Sequence, residues 1–157
     1  MSITKGQVGI DYPGVSVVCF CYRPYEFVMI KRTNKTRDEH DTWDLVAGKV
    51  EHNETAIQAL KREIFEEINT LAVGIEFLGY RDIHRTFEGK PDHWIALDFA
   101  VLVDPSFVKI GEPEKFSELR WVALTNTPRP LHSQSAIFLS KYLVKLQSIA
   151  GFRFPCQ

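Results

Sequence analysis

The segment Gly48-Lys49-Val50-Glu51-His52-Asn53-Glu54-Thr55-Ala56-Ile57-Gln58-Ala59-Leu60-Lys61-Arg62-Glu63-Ile64-Phe65-Glu66-Glu67-Ile68-Asn69 reads as a turn followed by a glutamate-rich helix. Ile57, Leu60, Ile64 and Ile68 recur at helical spacing and predict a buried stripe. Asn53 suits the N-cap, and Glu54 then falls in the first turn, where the helix dipole favours an anion. Glu63 and Glu67 stand four apart and project side by side, with Glu66 on the adjoining edge. Like charges so placed repel, and Arg62, four residues before Glu66, cannot offset all three. A hard divalent cation can, because Mg²⁺ and Mn²⁺ prefer oxygen ligands. Ala47 and Gly48 let the backbone come close, so a carbonyl there could complete a coordination shell, and Lys49 could meet a phosphate.

Outward from this segment, Val15 to Tyr22 and Phe27 to Arg32 are short β-branched and aromatic runs around Arg23-Pro24, and they predict neighbouring strands. Thr33 to Thr42 is polar and loop-like, and Trp43 to Ala47 predicts a short strand. Ile75 to His84 alternates as a half-buried strand, and Glu88 to Asp92 predicts a turn. Ile95, Leu97, Phe99, Val101 and Val103 make one apolar strand face, opposite Trp94, Ala96, Asp98 and Ala100. Leu119 to Leu124 predicts a further strand. Leu139, Tyr142, Leu143, Leu146 and Ala150 follow the spacing of a one-sided helix, with Ser133 as its N-cap. Strands interleaved with two helices, without regular βαβ alternation, predict an α/β fold with a mixed sheet.

The spacing Gly48, Glu54, Arg62-Glu63, Ile64, Glu66-Glu67 resembles the signature of the Nudix hydrolases. Such matches at fixed spacing arise by chance on the order of once in a hundred thousand chains or less. Two stretches depart from the family pattern. Asn69 and Thr70 stand where glycine and a hydrophobic residue are usual, and Val46-Ala47 replaces a common Pro-Gly. Asn is the next-best residue for a left-handed helix end, and a backbone carbonyl does not depend on its side chain.

The resemblance implies a Nudix-type α/β/α sandwich with a mixed β-sheet, spanning residues 1–157 as a single domain. It also implies metal-dependent hydrolysis of a phosphoanhydride in a nucleoside diphosphate-linked substrate. The first expectation is a nucleoside triphosphate giving monophosphate and pyrophosphate. The alternatives are an ADP-ribose or nucleotide-sugar pyrophosphatase, and a non-catalytic nucleotide-sensing domain. Glu63, Glu66, Glu67 and the Ala47 carbonyl would hold Mg²⁺, with Mn²⁺ as substitute, and Arg62 would orient a glutamate. Glu112, Glu114, Glu118 and Asp98 are the candidate general bases. Arg32, which ends a strand, and Lys49 are candidates for phosphate. Trp43 and Trp94 could stack on a base or pack in the core.

Composition sets the bounds. The chain has 157 residues, 45% hydrophobic, enough to bury a core without disulfides or a structural metal. Nineteen basic residues against 20 acidic ones leave a net charge of −1, which argues against sequence-independent nucleic-acid binding. Cys19, Cys21 and Cys156 are sparse and lack zinc spacing, as expected in a reducing cytosol. No secretory h-region or membrane-length apolar run occurs, so a cytoplasmic, membrane-free protein is expected. A homodimer is left open, with Met1 to Tyr12 and Gly151 to Gln157 as segments that copies could exchange. His84 and His93 flank the predicted turn and read first as surface histidines.

Overall fold

The structure is a computed structural model that describes residues 5–151; Cys156 and the outermost residues of both terminal segments lie outside that range. The elements run β1 (Gly14–Arg23), β2 (Glu26–Arg32), β3 (Trp43–Asp44), β4 (Val46–Lys49), α1 (Ala56–Ile68), β5 (Ala72–Phe87), β6 (Lys90–Val103), β7 (Phe116–Val122) and α2 (Ser133–Ile149). One mixed seven-stranded sheet has the order β3-β2-β1-β6-β5, with β4 added on β1 and β7 on β2. β1 and β6 pair in parallel, and the other pairs are antiparallel.

Burial on both sheet faces explains why the central strands are nearly continuous apolar runs. In β1 and β2, Val17, Cys19, Cys21, Val28 and Ile30 meet Leu60, Ile64 and Ile68 of α1. Their neighbours Val18, Phe20, Phe27 and Met29 pack on the other face against Phe138, Tyr142 and Leu146 of α2. The result is the expected α/β/α sandwich. Cys19 and Cys21 share one buried face, and burial pushes both thiols up, so they act as small hydrophobes.

Several local expectations are corrected. The N-cap of α1 is Thr55, not Asn53: its hydroxyl accepts the Gln58 N–H while the Gln58 side chain accepts the Thr55 N–H. Asn53 instead takes a left-handed conformation in the preceding turn. Glu54 lies ahead of the helix and bonds the Glu51 N–H and Arg62. Asn69 ends α1 in the left-handed conformation expected of it, φ 56° and ψ 32°. Ile57 is 39% exposed and leaves the buried stripe, because Ala59, Glu63 and Glu67 shift the inner face toward β4. His132, not Ser133, caps α2, and Leu143 is exposed. The β5–β6 turn is only Glu88-Gly89, both at positive φ, so Pro91 and Asp92 belong to β6. Thr55→Ala is expected to cost about 1 kcal/mol, measured by urea unfolding, because it breaks the reciprocal cap.

Candidate active site

Two elements build the site. The β1–β4 pairing sets Ala47 opposite Val18 and Gly48 opposite Val17, which lays this stretch along α1. The Glu63 carboxylate then occupies the space where a Cβ on Gly48 would sit, so only glycine fits. The Glu67 carboxylate accepts the Ala47 N–H at 3.2 Å. Glu63 and Glu67 are buried, while Glu66 keeps its side chain 47% exposed at the rim.

Arg62 ties these parts together. Its guanidinium donates to Glu54 at 2.8 and 3.0 Å, to Glu63 at 2.6 Å and to the Lys49 carbonyl at 2.9 Å. The expected i,i+4 partner Glu66 is more distant, at 3.3 Å. These bonds hold the Glu54 carboxyl down to about 2. The inner pair behaves in the opposite way. Burial raises Glu67 well above the usual carboxylate range, and the neighbouring Glu63 charge raises it further. Burial also raises Glu63, against the pull of Arg62.

The loop after β6 closes over the end of α1. Gly111 and Lys109 donate backbone N–H groups to the Glu67 and Ile68 carbonyls at 2.9 and 3.1 Å. A Cβ on Gly111 would fall on the Glu66 carbonyl, so glycine is required for this docking. The next residue, Glu112, is thereby set where its charge raises both Glu63 and Glu67, and Lys115 pairs with it at 2.7 Å.

A cavity of about 340 Å³ is lined by Gly48, Lys49 and Glu67 and by Ile83 and Trp94. Arg32, Arg37, Arg85 and Lys115 also line it, together with Asp38 and Asp44, which pair with Arg32. Arg37 is fixed by a two-pronged contact to the buried Asp92 at 3.0 and 3.1 Å. Arg85 Nε is buried with no hydrogen-bond partner among the described residues, a donor that a bound ligand can satisfy.

Lys49 and Arg32 line this cavity, although Arg32 already donates to Asp44 at 2.7 Å and to Asp38 at 3.0 Å. Trp43 does not line it: the residue is 3% exposed, its amide and carbonyl bond Pro130 and His132, and Arg120 covers its ring. Its assignment to the substrate is therefore corrected, and Trp94 is the tryptophan at the pocket. Asp98 is also removed as a base. It is fully buried and spent on Arg81 and the Tyr142 hydroxyl. Glu118 points to Lys31 and Arg120 at the surface of β7, and Glu114 is exposed, with its carbonyl bonded to Thr33. Sequence reading missed Arg37, Arg85 and Lys115, because cations scattered over loop, strand and loop carry no local pattern.

The family model for the NUDIX domain matches residues 12–142. The chain belongs to the NUDIX family. The chain is 39% identical over 74 residues to the dihydroneopterin triphosphate diphosphatase of Escherichia coli K12, covering 47% of this chain and 46% of that one. It thus spans about half the length of that curated relative. It is 25% identical over 150 residues to the RNA pyrophosphohydrolase of Acidiphilium cryptum, covering 83% and 92%. Among solved structures it is similar to a MutT NUDIX hydrolase from Burkholderia pseudomallei, with 29% identity, a TM-score of 0.73, and coverage of 82% and 96%.

The residues of this NUDIX site suit a hard divalent cation. Glu63 and Glu67 are buried and resist ionisation unless neutralised, Gly48 makes room for the first of them, and Glu66 stands at the rim, so the three are not gathered into one set of ligand atoms.

Proposed function

We propose that this NUDIX protein is a divalent-metal-dependent pyrophosphohydrolase acting on a nucleotide-like triphosphate, with monophosphate and pyrophosphate as products. The observation that carries the reading is the buried Glu67, beside Glu63, lining a cavity that it shares with Arg37, Lys49, Arg85, Lys115 and Trp94. Such a cavity offers carboxylates for a cation, cations for phosphate oxygens and an aromatic face for a heterocycle. The triphosphate reading draws support from the relatives named for a triphosphate diphosphatase and a pyrophosphohydrolase.

In this mechanism Glu63, Glu66, Glu67 and the Ala47 carbonyl would hold Mg²⁺ or Mn²⁺, which when bound would supply Lewis acidity toward the phosphate oxygens and a lowered pKa for water. Arg62 keeps the Glu63 carboxylate in register with Gly48, and Lys49, Lys115 and Arg85 orient and neutralise the phosphate chain. Glu112 takes the proton of the attacking water, because the docked loop brings its charge close enough to raise the carboxyls of both Glu63 and Glu67. The water oxygen adds to one phosphorus, the anhydride oxygen leaves with the other, and the proton is passed on to solvent.

A panel of nucleoside triphosphates, dihydroneopterin triphosphate and ADP-ribose, each assayed with Mg²⁺, tests the reading. Pyrophosphate plus a monophosphate is expected. AMP plus a sugar phosphate would move the assignment to nucleotide sugars, and ligand-induced stabilisation without any turnover would make the domain a sensor. Glu112→Gln is expected to lower kcat about a hundredfold with KM little changed. An unchanged kcat would remove Glu112 as the base.

A further inference from the structure

A second group of metal-ligating side chains lies on the hairpin β5–β6, on the other side of the cavity wall. The two-residue turn at Glu88-Gly89 sets the register, so His84 stands directly opposite His93 and Asp82 lies on the diagonal from it. The two imidazole rings stack at 4.1 Å between centroids, and His93 Nε2 is 3.4 Å from Asp82 Oδ1. One ligand atom from each of the three residues lies within 4.8 Å of the others. His84 and His93 also border a separate concavity of about 220 Å³ with Gly9 to Pro13. The segment is pinned there by the His93 N–H, which donates to the Gly9 carbonyl at 2.8 Å.

We propose that Asp82, His84 and His93 form a binding site for a borderline divalent transition metal of the Zn²⁺, Ni²⁺ or Cu²⁺ class. Two imidazoles and one carboxylate suit these ions and suit Mg²⁺ poorly. Charge favours this cluster over the other His/carboxylate group, Asp38, Glu39 and His132. There Arg32 and Arg85 already pair with the carboxylates, and the Gln134 N–H donates to His132 Nδ1. Among the described residues, His93 is the one ion-pair partner of Asp82, so no Lys or Arg competes for the carboxylate. Side chains alternate along a strand, so Ile83 and Arg85 project to the opposite face and line the cavity. A metal at this site would clamp from behind the strand pair that forms the substrate wall.

The test uses tag-free full-length protein titrated calorimetrically with ZnCl₂. The wild type and Glu67→Gln are expected to share one zinc site. In the double variant His84→Asn/His93→Asn its affinity falls about a hundredfold or more, since even partners outside the coordination shell are worth ten- to a hundredfold. Mg²⁺-dependent hydrolysis by the double variant stays near wild type and shows that it is folded. If it does not fold, Cu²⁺ electron paramagnetic resonance on Asp82→Ala and wild type replaces it. The wild type should show nitrogen hyperfine structure from two imidazoles, with a changed signal in the variant. Zinc titrations that superimpose for the wild type and the double variant, or copper spectra without imidazole nitrogen, overturn the proposal.

Discussion

Glu67→Gln should reduce metal-dependent turnover by at least about a thousandfold, a loss near 4 kcal/mol of transition-state stabilisation. The amide is isosteric but neutral, and it withdraws one of the two buried carboxylates that would hold the cation in the proposed mechanism. In EDTA the same substitution should raise the melting temperature at neutral pH. Burial raises the folded-state carboxyls of Glu67 and Glu63, so their contribution to stability is complete below the ordinary carboxylate pKa, about 4.3. It is lost as pH rises through the raised folded values. Metal-free wild type should therefore lose stability as pH rises above the ordinary carboxylate value, and the variant should lose less. Adding MgCl₂ at pH 8 should restore the wild type and leave the variant unmoved. Thermal melts at two pH values with and without Mg²⁺ give all four comparisons. Near-wild-type turnover, or a variant that still responds to Mg²⁺, would remove Glu67 from the metal site.

The second large effect is on stability. Asp98→Ala should cost about 3–5 kcal/mol, because it leaves the Arg81 guanidinium buried without its counter-charge. Arg81 donates to both Asp98 oxygens at 2.7 and 2.9 Å, and the Tyr142 hydroxyl adds a third bond at 2.9 Å. Arg81 also reaches the Gln134 side chain at 3.0 Å, so the cluster joins β5, β6 and α2. For a chain of this size the loss corresponds to a fall of roughly 10 °C in melting temperature. Replacing both partners by leucine should recover much of it, since the desolvation cost of the charges disappears as well. A single variant as stable as wild type would show that the pair contributes nothing.

Much of the proposed metal site is legible in the sequence because its parts lie within one turn and one helix. The positions of Gly48, Arg62, Glu63, Glu66 and Glu67 are local spacings, and helical geometry converts such spacings directly into neighbours. Trp43 and Asp98 show where this fails. Each was recognised as a residue able to serve a site, but its burial depends on which strand covers it. Trp43 is closed off by Arg120 of β7, and Asp98 meets an arginine from the adjacent strand of the hairpin. The caps failed for a smaller reason. Asn53 and Thr55 are both good N-cap residues, and the capping-box partner Gln58 decides between them.

What the sequence by itself determined is the acidic helix, from hydrophobic period and fixed local spacing, and the family, from the resemblance that this spacing carries and that implies the α/β/α sandwich. The tertiary structure alone decided which cations line the cavity, that the charge of Glu112 rather than that of Glu118 or Asp98 acts on Glu63 and Glu67, and that His84 meets His93. These contacts depend on strand register and loop docking, and register is set by turn length and by packing between elements distant in the chain.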